Sequence, residues 1–302
     1  MPPAPTAYPL LAPVVSGNTI TVDEALATPS RITREIATYA EQRMFIQRIF
    51  TPSGRLSGGA LLYERPNAIA TDLYSDREVK EVAPGEEFPL LTFSRGVPMV
   101  ARPRKIGGKW FVTREARLRN DQAVMNRQMV QTANTINRRV ELLGLAEMGA
   151  VVTAESRFRT GTSWSAYAAQ APDVRTGTAG PVADILAARL QVDLEERGNS
   201  LTGAILHPNQ EMAIGQAYGF GNIAEALRSA GITEYYSTPR QTAGTVTLYS
   251  PGQTGEMRLE FPLAEEVWED AEGRQRTWYQ WSVSPMFVIV DQFAMLEIRG
   301  VA

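Results

Sequence analysis

Cysteine is absent from this chain of 302 residues, which excludes disulfides, thiolate nucleophiles and Cys-based zinc or iron–sulfur sites. Histidine occurs once, at His207, so a metal site built from several imidazoles is excluded. Any His-based dyad or triad would have to rest on that residue. Its setting, Leu206-His207-Pro208-Asn209, suits a turn opening a helix better than an active site. Lysine is scarce: Lys80, Lys105 and Lys109 are the only three among 30 basic residues, and the other 27 are arginine. Arginine's planar fork suits carboxylate pairing between subunits, whereas a GC-rich genome would give the same bias; both readings stay open.

Charge and hydropathy remove further classes. A formal net charge of −3 gives no general attraction to phosphate or anionic membrane. No run approaches the roughly 18 apolar residues that span a bilayer. Met1 to Pro9 lacks the basic start and apolar core of a signal peptide, so a chain cytosolic at synthesis, with no membrane partner, is expected. There is no Gly-Lys-Ser or Gly-Lys-Thr phosphate loop, and Gly215, Gly219 and Gly221 do not form a dinucleotide fingerprint. No cofactor, metal or catalytic residue is expected.

What the chain does have is a long polar, Pro/Gly-containing stretch running into one long helix. Residues 1 to about 30 are rich in Pro, Ala and Thr, and a helix capped by Ser30 or Thr33 is expected through about Ile49, ended by Thr51-Pro52-Ser53-Gly54. A short strand is expected at 58–63, and then an extended arm with turns at Pro84-Gly85 and Gly107-Gly108. The β-prone stretches 88–93, 97–101 and 109–113 suggest a long two-stranded ribbon, which is marginal alone and needs something to lie on. Leu118, Met125, Met129, Ala133, Ile136, Val140 and Leu143 fall on one helical stripe, predicting a helix from Asn120 or Asp121 to about Met148.

Beyond it, 155–180 reads as loop. Helices are expected at Pro181 to about Arg197, with apolar Val182, Ile185, Leu186, Leu190 and Leu194, at Pro208 to Tyr218, and at Ile223 to Ser229. Strands are expected at 201–206, 245–249 and 257–261, in a hairpin turning near 269–273, and from Met286 to Ile298.

Two charge clusters need weighing. Glu265, Glu266, Glu269, Asp270 and Glu272 could place paired carboxylates for glycoside hydrolysis, but they span an expected turn without an apolar setting to raise one pKa, so a solvated hairpin tip is favoured. Arg102, Arg104 and Lys105, with Lys109 and Trp110, form a short basic run with one aromatic in an acidic chain, which suits pairing to a neighbour's carboxylates better than sequence-specific nucleic-acid binding. With Lys80, Glu86 and Glu87 of the arm, these are the candidate subunit-contact residues.

The order of these elements resembles the major capsid protein of tailed bacteriophages, the Hong Kong 97-type fold also seen in encapsulin shells. The strings that carry it are Glu81-Val82-Ala83-Pro84-Gly85-Glu86-Glu87-Phe88-Pro89, Lys109-Trp110-Phe111-Val112-Thr113-Arg114-Glu115-Ala116, the helix from Asp121, Leu201 to Gln210, and Ser284-Pro285-Met286-Phe287 through Val301. The resemblance spans about 30 to 302 and implies an α+β chain in four parts. These are an N-terminal arm with a short helix (1–60), an extended β-hairpin loop (61–113), a peripheral domain with the spine helix (114–180 and 266–302) and an axial domain (181–265).

It further implies a structural protein, not an enzyme, self-assembling into pentamers and hexamers that close an icosahedral shell around double-stranded DNA without sequence-specific binding. Lys80 lies near the loop tip, but no matching Asn and Glu are identifiable for the Lys–Asn crosslink of some members, so crosslinking is not expected. The short arm before the first helix suggests scaffolding by a separate protein; a portal is a further expected partner, and the sequence leaves the presence of a decoration protein open. Localisation would be the virion, with assembly in host cytoplasm. An encapsulin-type compartment is the nearest alternative, and a hydrolase using Glu265, Glu269 or Asp270 the alternative from another class.

Overall fold

The computed structural model describes residues 15–16, 19–20, 45–66, 74–75, 79–93, 95–119, 122–175, 177–270 and 275–302. In chain order the strands are β1 (Val15–Ser16), β2 (Thr19–Ile20), β3 (Phe50–Arg55), β4 (Leu61–Arg65), β5 (Val97–Ala101), β6 (Ile106–Thr113), β7 (Phe158–Thr160), β8 (Gly203–Leu206), β9 (Glu234–Ser237), β10 (Thr245–Tyr249), β11 (Gly255–Glu269), β12 (Arg276–Ile289) and β13 (Met295–Arg299). The helices are α1 (Ile46–Ile49), α2 (Arg114–Leu118), α3 (Gln122–Ala154), α4 (Trp164–Ala169), α5 (Pro181–Asp193), α6 (Pro208–Tyr218) and α7 (Ile223–Ser229).

Helix α3 has 33 residues and is about 50 Å long at 1.5 Å per residue. Its stripe Met129, Ala133, Ile136, Val140, Leu143, Met148 and Val152 is buried against Phe50, Tyr279, Trp281 and Phe287. Val152, fully buried, carries the stripe past the expected end at Met148. The helix stops where Ser156 enters the left-handed region (φ 53°) and Arg157 N–H bonds back to the Val152 carbonyl.

A five-stranded sheet, ordered β7-β13-β10-β8-β9, separates two cores. Side chains alternate across a strand, so Ile205, Tyr249 and Met295 join the core on α3. Their neighbours Ala204, Leu206, Val246, Leu248, Leu296 and Ile298 face a second core, with Trp164, Ile185, Ile214 and Leu227 from the helices. The second sheet, ordered β3-β11-β12-β6, lays its inner face on α3, and β4 pairs with β5 in a separate ribbon from Leu61↔Ala101 to Arg65↔Val97.

Several expectations change. Gly107 and Gly108 lie within β6 and do not turn the chain. A Cβ on Gly108 would meet the Trp281 ring at 2.9 Å and one on Gly107 the Trp281 carbonyl at 2.7 Å, so both glycines serve close strand approach. Consequently 106–113 pairs with β12 and is not part of the ribbon. The presumed stop Thr51-Pro52-Ser53-Gly54 is strand β3, at a sheet edge where Pro52 is tolerated. Residues 88–93 form no strand, and the helix expected from Ser30 lies outside the described residues as far as Met44.

The 155–180 stretch holds β7, paired in parallel with β13, and α4, capped by Ser163, and a buried carboxylate anchors the start of that helix. Asp184, buried in the first turn of α5, accepts from the Thr162 N–H, the Thr162 hydroxyl and the Trp164 indole N–H, all at 2.8 Å. Asp184→Ala would strand these donors, with the fully buried indole worst placed, and is expected to cost about 3 kcal/mol or more. A urea midpoint within error of the wild type would refute the anchor role.

Candidate subunit-contact site

The extended segment 79–93 leaves the ribbon with little to cover it. Pro84-Gly85 turns as expected, with Glu86 N–H bonding the Ala83 carbonyl at 3.0 Å. Lys80, Glu86 and Glu87 are exposed there. Beside them Val79, Phe88, Leu90 and Phe93 are between 74% and 83% exposed. Isolated surface apolar residues need no explanation, but four large ones in one segment make it a candidate contact surface. A second apolar patch lies on α5. Ile185 is buried as expected, whereas Leu186, Leu190 and Leu194, one stripe at i, i+4, i+8, face out.

The basic candidates divide. Arg102 and Lys105 are exposed in the connection from β5 to β6. Arg104 is already paired within its own chain, to Glu147 of α3 at 2.6 Å. It roofs a cavity of about 560 Å³ between the ribbon root and α3, lined also by Tyr63, Met99, Leu143 and Phe287. Lys109 lies over the Trp278 ring at 4.9 Å on the outer face of the β6–β12 sheet. Trp110 points the other way and stacks on Tyr279, centroids 4.4 Å apart.

That outer face carries an aromatic ladder not singled out in the sequence: Trp268 stacks on Trp278 at 6.3 Å, Phe111 meets Trp278 edge-on at 5.0 Å, and Arg276 caps Phe111 at 4.4 Å. The period-2 string Arg276, Trp278, Gln280 against buried Thr277, Tyr279, Trp281 was its signal.

An ion pair also ties α3 to the loop between β9 and β10. Glu141 on α3 is completely buried and pairs with Arg240 from the loop between β9 and β10. Burial, then the like charge of Arg138, lowers the Arg240 pKa. The same layer holds Tyr249, whose hydroxyl donates to Glu234 at 2.8 Å and whose phenol pKa is raised by burial and then by that hydrogen bond.

The residues weighed for catalysis have structural settings. His207 caps α6, its Nδ1 accepting from Asn209 N–H at 3.1 Å. Glu266 and Glu269 are exposed near the end of β11, where Asp270 N–H bonds the Arg276 carbonyl across the hairpin. Among the described residues no group of three or more His, Asp or Glu could hold a metal ion, and no helix is long and apolar enough to cross a membrane.

A family model described as phage capsid protein matches residues 96–298, about two thirds of the chain. The chain belongs to the phage capsid protein family. No curated protein sequence matches it. Among solved structures it is similar to Microbacterium phage Oxtober96 (TM-score 0.62, 10% identity, covering 85% of this chain and 90% of that one). It is also similar to the capsid of Myoviridae phage XM1 (0.56, 12%, 85% and 91%) and to the virus-like particle from Pyrococcus furiosus (0.58, 11%, 89% and 98%). At such identities the likeness shows the fold, the Hong Kong 97-type α+β fold. This capsid protein is the major coat of a phage head shell and a virion component, and the family match favours that over an encapsulin compartment or a hydrolase.

Proposed function

We propose that many copies of this capsid protein assemble as pentamers and hexamers, closing an icosahedral shell around double-stranded DNA held without sequence readout. The bare segment carries the reading: among the described residues little covers Phe88, Leu90 and Phe93, and an adjacent copy would supply the cover. Lys80, Glu86, Glu87, Arg102, Lys105, Lys109 and Trp110 belong to the same contact set. Exposed ion pairs contribute about 0–1 kcal/mol each, so apolar burial and the repetition of weak contacts carry the affinity.

The Leu186, Leu190 and Leu194 stripe supports contacts between axial parts within each ring. The division into arm, extended loop, peripheral and axial parts is kept as a proposal, with 106–113 built into the peripheral sheet and 265/266 falling inside β11. The family likeness supports a structural and non-catalytic role, with a scaffolding protein, a portal and a decoration protein as partners, and assembly in host cytoplasm.

Electron microscopy of the purified chain, alone and with a candidate scaffold, tests the reading. Closed shells are expected. Monomers that stay monodisperse under both conditions, with the segment folded back on their own surface, would falsify it.

A further inference from the structure

We propose that the cavity between the ribbon root and α3 is a binding site for a single-chain amphiphile with an anionic head. The inference goes beyond the shell reading and does not need it, since every group that makes the site lies in one chain.

Three elements leave a space of about 560 Å³, within the roughly 300–1,000 Å³ of small-molecule sites. On α3 the lining residues Leu143, Glu147, Ala150, Val151 and Ala154 recur at i, i+4, i+7, i+8 and i+11, one helical face. Ala150 and Ala154 carry only a methyl group, so that face stands back from its neighbours. On the ribbon, Tyr63 pairs with Met99 and Leu61 with Ala101, so Tyr63, Arg65, Met99 and Ala101 share the side of the pleat that faces α3. β12 closes the third side with Met286, Phe287 and Ile289, giving the space an apolar floor. A hydrocarbon chain laid on that floor gains dispersion contacts and takes apolar area out of water, whereas water there would gain neither.

The rim is cationic. The lining carries three guanidiniums, Arg65, Arg102 and Arg104, against one carboxylate, Glu147. Two of the three are already committed, Arg65 to Glu155 and Arg104 to Glu147, each at 2.6 Å. Among the described residues Arg102 has no ion-pair or hydrogen-bond partner, and the Tyr63 hydroxyl has no hydrogen-bond partner. Burial holds the Tyr63 phenol above its ordinary pKa, so the hydroxyl keeps its proton at neutral pH and donates. A guanidinium fork and a phenol O–H together suit the oxygens of a carboxylate or a phosphate, with the apolar floor beside them for the chain. A ligand seated this way touches the ribbon, α3 and β12 at once, and fastens the root of the ribbon to the long helix. Arg102 stands at the exposed rim, so it can hold a head group in the unassembled chain and still meet a neighbour in the shell.

The test titrates dodecanoate, below its micelle-forming concentration, into the unassembled full-length chain by calorimetry, with dodecyl phosphate and dodecanol as parallel ligands. Saturable uptake of dodecanoate and a raised melting temperature are expected, because a ligand of the folded state stabilises it by mass action. Dodecanol should bind at least about tenfold more weakly, the size of a lost charge-assisted hydrogen bond. Dodecyl phosphate should bind as well, and the tighter of the two anions identifies the head group. Arg102→Gln should weaken dodecanoate to the level of dodecanol, and Ala150→Phe should abolish binding by filling the space. Both positions are exposed, so both variants should melt as the wild type does without ligand. Dodecanol as tight as dodecanoate, or undiminished binding by Arg102→Gln or Ala150→Phe, overturns the site. So does uptake that never saturates, or a melting temperature that falls with dodecanoate. Because the titration uses the unassembled chain, none of these results bears on the shell.

Discussion

Replacing Arg240 with alanine is expected to lower the unfolding free energy of the unassembled chain by about 3–5 kcal/mol. Glu141 is completely buried on α3, and Arg240 is its ion-pair partner. Loss of the arginine leaves a carboxylate in the interior with no counter-charge, and the desolvation cost already incurred in folding is no longer offset. A second arrangement separates this from simple loss of packing. Glu141→Leu with Arg240→Met removes both charges at similar volume, and such replacements of buried pairs are often neutral or stabilising. The double variant should therefore recover most of the urea midpoint that Arg240→Ala loses. If Arg240→Ala unfolds at the wild-type midpoint, the pair does not hold that loop to α3.

The largest effect on assembly is expected from Phe88→Ser, Leu90→Ser and Phe93→Ser together. In the lone chain these side chains are 80%, 74% and 75% exposed, so each change should alter folding stability by no more than about 0.5 kcal/mol. On a neighbour, burial of each is worth about 1.5–3 kcal/mol, or about 4.5–9 kcal/mol per segment. At 1.4 kcal/mol per tenfold, the contact should weaken by roughly a thousandfold or more. Light scattering against concentration should show no shells where the wild type assembles, while thermal melting of the unassembled chain is unchanged. Assembly of the triple variant at the wild-type concentration would remove the segment from the set of contacts that matter.

Elements governed by local rules were legible from the chain. α6 runs from Pro208 to Tyr218 and α7 from Ile223 to Ser229, as their starts and apolar spacing predict, and β10 covers the alternating string Thr245 to Tyr249. The stripe on α3 was equally plain because a single face packs one core. Elements decided by distant partners were not. Gly107-Gly108 is a turn by dipeptide statistics and a strand because it pairs with β12 under Trp281, and the buried seat of Trp164 depends on Asp184 receiving its indole N–H from another helix.

For the contact site, the exposed polar positions Lys80, Glu86 and Glu87 could be read directly, but the own-chain partner of Arg104 could not, since Glu147 lies on a separate helix. Glu141 left a faint mark: it follows Ala133 and Asn137 at steps of four, a charge beside the buried stripe.

The length of α3 sets a mechanical tolerance. A rod of about 50 Å acts as a lever, so a tilt of one degree at its start displaces its far end by about 1 Å, a good part of a van der Waals contact. In the shell proposed above, a small change in how that rod is bedded would be felt at the far end of the subunit, where the angle to a neighbour is set.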